Sequence, residues 1–272
     1  MMKNSKNTLK MGNLMIAKIR SSESNHWYTR DGSPMYTVPS KKDGSPRNTT
    51  LRDGRELGLI PSVTTILGVA AKPALIAWMQ QNVLLAALTL PRCDNESEND
   101  YVVRIIKDSK AQGRAAADMG TEIHAAIEAH YEGKTTSKHL NHVLAVTSAL
   151  DAYYGVQKWI PEKSFAHDIG FAGKTDLHVS SGGGIVVDTK TKEFDDPEKV
   201  EAYDENLMQL AAYRVGLGLP MARCANIFVS RNHPGLVKII SWSEDDLKRG
   251  FDMFTNLLNY WMLKNKFEVK NA

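Results

Sequence analysis

Cysteine is nearly missing from this chain: Cys93 and Cys224 are the two among 272 residues. They stand far apart, which excludes a disulfide framework and points to a reducing, cytoplasmic compartment. No apolar run is long enough to cross a bilayer, so no membrane partner is expected. The first residues carry positive charge but no apolar segment with a cleavage site after it, so no secretory signal is expected. A large charge of one sign is also missing. The net charge is +3, with 24% charged and 42% hydrophobic residues, the profile of a globular protein. The length suffices for a sizeable core.

The charge that exists is unevenly placed. Residues 1–61 hold eleven Lys and Arg against five acids, leaving the remainder of the chain negative. A basic segment beside an acidic body suits a polyanionic partner, and equally suits a solvated tail.

The densest chemistry lies in Gly170–Lys190. Leu177, Val179 and then Ile185, Val186 and Val187 flank Ser180–Gly184, so the segment reads as a β-hairpin with a glycine-rich turn. A turn centred on Gly182 pairs Asp176 with Asp188, their Cβ atoms about 5 Å apart. Like charges so placed ask for a cation, and hard divalent ions take carboxylate and carbonyl oxygens. Lys190 falls on the same strand face as Asp188. Two carboxylates, a metal and an ammonium suit phosphoester hydrolysis.

Further elements follow from local signals. His26–Val38 suggests a hairpin turning at Asp31–Gly32, and Leu14–Ala17 a short strand. Pro61–Ser62 starts a helix, Pro73 starts a second one that Pro91 ends, and a long helix spans Tyr101–Tyr131. Another helix covers Ser137–Tyr154. Strands are expected over 159–167, 171–179 and 184–190, then a helix over Pro197–Gly216, strands over Arg223–Ser230 and Leu236–Trp242, and a final helix capped by Ser243. Periodicity alone gives α/β with a helical N-terminal half.

Asp176 with Asp188-Thr-Lys190 resembles the bipartite signature of the PD-(D/E)xK nuclease superfamily. Gly170-Phe-Ala-Gly-Lys-Thr-Asp176 resembles the glycine motif of its RecB-like, phage-type exonuclease branch. Gly120-Thr-Glu-Ile-His124 is similar to that branch's histidine motif, and Gln209-Leu-Ala-Ala-Tyr213 to its Q-x-x-x-Y motif. Pro61–Leu67 is similar to the segment that opens the helical part of phage members. The resemblance spans about residues 60–245. It implies a restriction-endonuclease-like α-β-β-β-α-β core with a mixed central sheet and an added helical N-terminal region. The division expected is a basic segment over 1–60, a helical region over 61–157 and a nuclease core over 158–272, with 61–272 as one compact domain.

The function so implied is a Mg²⁺-dependent deoxyribonuclease, with Mn²⁺ as substitute. It would act as an exonuclease on single strands or duplex ends in recombination, repair or phage genome processing, in company with other recombination or replication proteins. A structure-specific or restriction-like endonuclease is the second reading, and a non-catalytic nucleic-acid-binding module the third. Asp176, Asp188 and Lys190 are the catalytic set. His124, Asp176, Asp188, the Thr189 backbone carbonyl and Glu162 are the metal set, with Glu128 in support. Gln209, Tyr213, Lys174, Ser62, Thr64 and Arg214 are the substrate set, with capping alone a sufficient role for Ser62. Trp27, Tyr28, Tyr36 and Trp78 are stacking candidates or core residues. Members with an iron–sulfur cluster use four cysteines, so none is expected here.

Overall fold

A computed structural model describes residues 26–269. In chain order the elements are β1 (Trp27–Tyr28), β2 (Thr37–Pro39), β3 (Pro46–Asn48), α1 (Leu51–Leu57), β4 (Ile60–Pro61), α2 (Val63–Leu67), α3 (Pro73–Thr89), α4 (Glu98–Tyr131) and α5 (Leu140–Tyr154). There follow β5 (Ile160–His167), β6 (Phe171–Val179), β7 (Ile185–Lys192), a 3₁₀ turn (Pro197–Lys199), α6 (Asp204–Gly216), β8 (Arg223–Ser230), β9 (Val237–Trp242) and α7 (Glu244–Asn265). The short strand expected at Leu14–Ala17 lies outside the described residues. Among the described residues no helix is long and apolar enough to cross a membrane.

The described residues fall into two compact units. Of the described residues, 73–113 belong to one, and 26–72 with 114–269 to the other. In the first, Tyr101 Oη donates to the carbonyls of Ala87 and Leu90, each at 3.0 Å. Arg104 there holds Glu96 through two bonds of 2.8 Å.

The larger unit is a mixed α/β fold. Its five-stranded sheet has the order β5-β6-β7-β8-β9, antiparallel except for the parallel pair β7–β8. A parallel step needs a crossover, and α6 supplies it. The runs of Val and Ile in β7 and β8 are apolar on both faces because both faces are covered. On one face Val186 and Cys224 meet Leu207 and Leu210 of α6 and Leu247 and Phe254 of α7. On the other, Leu177, Val187 and Ile227 meet Ile123 and Ile127 of α4 and Val143, Val146 and Leu150 of α5. The β6–β7 hairpin turns where expected, through positive φ at Gly182, Gly183 and Gly184.

Two expectations are corrected. The helix foreseen from Pro197 begins at Asp204. Asp196 caps only a 3₁₀ turn (Glu198 N–H to Asp196 Oδ1, 3.0 Å), and the chain then runs on without helix until Asn206 Oδ1 accepts the Tyr203 N–H at 2.9 Å. The hairpin over His26–Val38 is only partial. Tyr28 bridges Pro34, but Thr37–Pro39 pairs with β3 and β1 pairs with β4.

Asp53 anchors this N-terminal part. It accepts two bonds of 2.7 Å from Arg47 and one of 2.9 Å from the Thr50 N–H, closing a capping box at the start of α1. Arg47 holds its carboxyl well below the ordinary 3.8, with burial opposing and Thr50 assisting. That stabilisation is present above the ordinary value and fades as pH falls through and below it. Asp53→Asn is therefore expected to destabilise the protein by about 1 kcal/mol at neutral pH. The gap from wild type, read by thermal unfolding, should narrow towards roughly pH 3. A gap that stays constant from neutral to acid pH would contradict this role.

Candidate active site

The site grows from an irregularity in the sheet. Phe171 packs in the core under α6 and α7, whereas Leu177 and Val179 pack in the core under α4 and α5. A regular strand would keep these odd-numbered residues on one face. The switch falls at Glu162 and Asp176, which would be partners but are left out of the β5–β6 ladder. Glu162 there has φ 53°, a left-handed conformation that costs a non-glycine residue strain. The β6–β7 ladder also ends at Leu177↔Val187. One step beyond, where Asp176 would face Asp188, the Asp176 carboxylate itself accepts the Thr189 N–H at 2.7 Å. In the fork vacated by β7, Ser62 at the start of α2 bridges Ala172 in parallel. The ladder pairing expected for the two aspartates is thus replaced by a side chain inserted into the strand pairing.

Asp188 is 2% exposed and fully engaged. Oδ1 accepts from Lys190 Nζ at 3.0 Å and from Gln209 Nε2 at 2.9 Å. Oδ2 accepts from Asn226 Nδ2 at 3.0 Å and lies 2.9 Å from Lys190 Nζ. Lys190 also donates to Gln209 Oε1 at 2.9 Å, and Gln209 Nε2 lies 2.9 Å from Tyr213 Oη. The i, i+4 spacing of Gln209 and Tyr213 on α6 places both groups on the face that meets β7. Burial raises the pKa of Asp188, Lys190 opposes this, and the nearby Asp176 adds to it. Burial would lower the pKa of Lys190, but Asp188 and Asp176 outweigh it and hold the ammonium charged. Burial chiefly, with the Asp188 charge, keeps the Tyr213 phenol protonated.

His124 reaches the same place from α4. Its Nδ1 lies 3.6 Å from Asp176 Oδ2. The approach of helix to sheet depends on Gly120, where a Cβ would stand 2.6 Å from Thr191 Oγ1 of β7. A small pocket is lined by His124, Glu128, Glu162, Asp176 and Thr189, with Ile127 and Leu177 as its apolar wall. Thr189 Oγ1 is buried with no hydrogen-bond partner among the described residues. Three carboxylates, an imidazole and an unsatisfied hydroxyl form a donor set that fits a hard divalent cation. Among the described residues no group of three or more His, Cys, Asp or Glu is arranged as a ready metal cage. Mg²⁺ does not require one, because it keeps several waters and binds through one or two carboxylates with substrate phosphate.

The remaining candidates separate cleanly. Lys174 is in contact with Glu162 on the adjacent strand and does not face Lys190 across a ladder. Ser62 Oγ accepts the Thr65 N–H at 3.0 Å, the capping role, and contacts Thr64 Oγ1 at 3.0 Å. Arg214 is buried and forked onto Glu244 at the start of α7, at 2.7 and 2.9 Å, which turns it to structural use. Trp27 is fully buried against Trp261 and Phe267, so it is a core residue and offers no stacking face. Tyr28 is buried as well, and Trp78 belongs to the 73–113 unit.

Sequence reasoning missed Asn226 and Trp242. Asn226 is fully buried, and its Oδ1 accepts the Trp242 Nε1–H at 2.9 Å while its Nδ2 serves Asp188. The signal available was a lone amide inside the apolar run Cys224–Val229 of β8, since a buried amide needs partners. Asn226→Ala should cost about 2 kcal/mol in a denaturant titration, because it strips a buried carboxylate of a donor and leaves an indole N–H unpaired. A loss below about 0.5 kcal/mol, the range of surface substitutions, would show the amide to be dispensable.

No family model matches this chain, and no curated protein matches it. Among solved structures, the alkaline exonuclease LHK-Exo of Laribacter hongkongensis is 12% identical at a TM-score of 0.38, over 70% of this chain and 94% of that one. The crystal structure of SSO0001 is 14% identical at a TM-score of 0.31, over 68% and 86%. Both likenesses are distant.

Proposed function

We propose that this protein is a metal-dependent DNA nuclease that hydrolyses phosphodiester bonds, acting as an exonuclease on duplex ends or single strands. The observation that carries the reading is the pair of buried Asp188 and half-buried Lys190, clamped by Gln209 and Asn226 beside the pocket of His124, Glu162 and Asp176. A structural ion pair does not need an acid-lined pocket with an unsatisfied hydroxyl at its wall. The four sequence motifs that resemble the RecB-like branch converge here, which supports the same reading.

Asp176, Glu162 and His124, with the Thr189 backbone carbonyl, would hold Mg²⁺ or Mn²⁺, which supplies Lewis acidity to a phosphate oxygen and a lowered pKa to water. Asp188 would join that set only by exchanging one of its present hydrogen bonds. In the present arrangement it anchors Lys190. Lys190 Nζ has three N–H donors, and three acceptors surround it at 3.0 Å or less: both Asp188 oxygens and Gln209 Oε1. Releasing one Asp188 oxygen would turn a donor to a phosphate oxygen or the attacking water, and the charge would steady the pentacovalent phosphate. Gln209 fixes the ammonium through its carbonyl and Asp188 through its amide, so one residue sets the geometry of both. Tyr213 Oη, near Gln209 Nε2, supports the amide in that orientation. DNA as substrate accords with the basic N-terminal segment.

End-labelled linear DNA incubated with Mg²⁺, with Mn²⁺ and with chelator should be degraded only when metal is present. Asp188→Asn and Lys190→Ala should each lower the rate at least about a hundredfold. Covalently closed circular DNA should survive, and its cleavage would replace exonuclease by endonuclease. DNA binding without hydrolysis in any metal, or full activity of either variant, would overturn the assignment.

A further inference from the structure

Residues 26–61, the described part of the segment expected from its charge to be a basic appendage, are joined to the strand that carries Asp176. The His26 carbonyl accepts the Ser62 N–H at 2.9 Å, and Ser62 in turn bridges Ala172, two residues before Lys174 on β6. The His26 ring stacks on Tyr36 with centroids 4.4 Å apart and planes at 29°. Tyr36 Oη lies 2.7 Å from Tyr28 Oη, which fixes the pair to the buried part of the segment. Besides burial, the Lys174 ammonium acts on His26, lowering its pKa. Lys174 contacts Glu162, which lines the acidic pocket. The sequence of groups from the pocket outward is therefore Glu162, Lys174, His26 and Tyr36.

His26 is exposed and Tyr36 half-buried. One face of the imidazole rests on the phenol ring, and the residue as a whole is open to solvent. Burial and the Lys174 charge both lower the pKa of His26, so at neutral pH the ring is an uncharged plane. An uncharged aromatic ring with an ammonium near enough to act on its titration matches one nucleotide: a base to stack and a phosphate to neutralise.

We propose that the His26–Tyr36 stack and Lys174 form a subsite for the nucleotide next to the scissile phosphate. The base lies on the His26 face turned away from Tyr36 and the phosphate on Lys174. Two of the three Lys174 donors remain for that phosphate while the third faces Glu162. The subsite rests on the nuclease reading and adds a substrate requirement to it, an unpaired base at one fixed position. It also gives residues 26–61 a reason to be joined to β6.

The test uses the full chain and a series of single-stranded oligonucleotides, each with one abasic position at a fixed distance from a labelled end. Wild type should show one position at which losing the base raises KM about tenfold, the scale of one base–aromatic stack. His26→Ala should raise KM by a similar factor on intact DNA, leave kcat at saturation unchanged, and become indifferent to the abasic site at that position. His26→Phe should restore both affinity and position dependence, since any aromatic plane suffices. Tyr36→Phe, which keeps the ring and loses the Tyr28 contact, should retain most of the affinity. If wild type hydrolyses DNA but His26→Ala keeps its KM and the same position profile, the subsite falls and the nuclease reading stands. If wild type hydrolyses no DNA in Mg²⁺ or Mn²⁺, both fall.

Discussion

A carboxylate at 2% exposure has to be paired, and the arrangement around the sheet's parallel step follows from pairing Asp188. Four hydrogen-bonding and ionic contacts converge on its two oxygens from three elements: β7 itself, α6 and β8. Each is set by a simple periodicity. Lys190 is two residues along the strand, Gln209 stands on the helix face that packs on β7, and Asn226 is the register partner in the parallel ladder. Removing any one partner leaves buried charge exposed to a low dielectric, which is why such a cluster rigidifies the place where three elements meet.

The second constraint is the broken ladder. An unbroken β5-β6-β7 sheet would pair the backbone at Asp176 on both sides and turn Glu162 into an ordinary strand residue. The structure instead places Glu162 in a left-handed conformation, switches the inward face of β6, and uses an aspartate side chain to satisfy the Thr189 N–H. This opens the fork that the start of α2 occupies. It also brings an acidic pocket up to the Asp188–Lys190 ion pair. Strain stored at one residue and a missing rung are the kind of local cost that marks a functional site. The pocket stays small because Gly120 lets α4 approach β7 at Thr191, which carries His124 in to 3.6 Å from Asp176.

Much of this was legible in the sequence where a residue type admits few roles. Three glycines after two serines could only be a turn, and Pro73, Pro91 and Ser243 marked helix ends because proline lacks an N–H and serine supplies a cap. Asp188 was noticeable as a charge closing an apolar run. What stayed hidden depended on distance in the chain. Asn226 and Trp242 meet Asp188 only once β8 and β9 are laid beside β7. Arg214 looked available for a phosphate until Glu244 at the head of α7 was seen to claim it. The short α1 went unread although Thr50 and Asp53 carry a capping box, because seven residues give little periodicity to detect. The face switch at Glu162 has no sequence signal, since the alternation of β6 looks regular until the two cores are told apart.

The central claim is that the pocket beside the Asp188–Lys190 pair holds the divalent ion on which hydrolysis depends. Mn²⁺ paramagnetic resonance, titrated into the protein saturated with a non-hydrolysable phosphorothioate oligonucleotide, tests it most directly. The account predicts saturable binding in wild type that Asp176→Asn abolishes or weakens by at least about tenfold. Equal Mn²⁺ binding by the two proteins, or none by wild type, would contradict it.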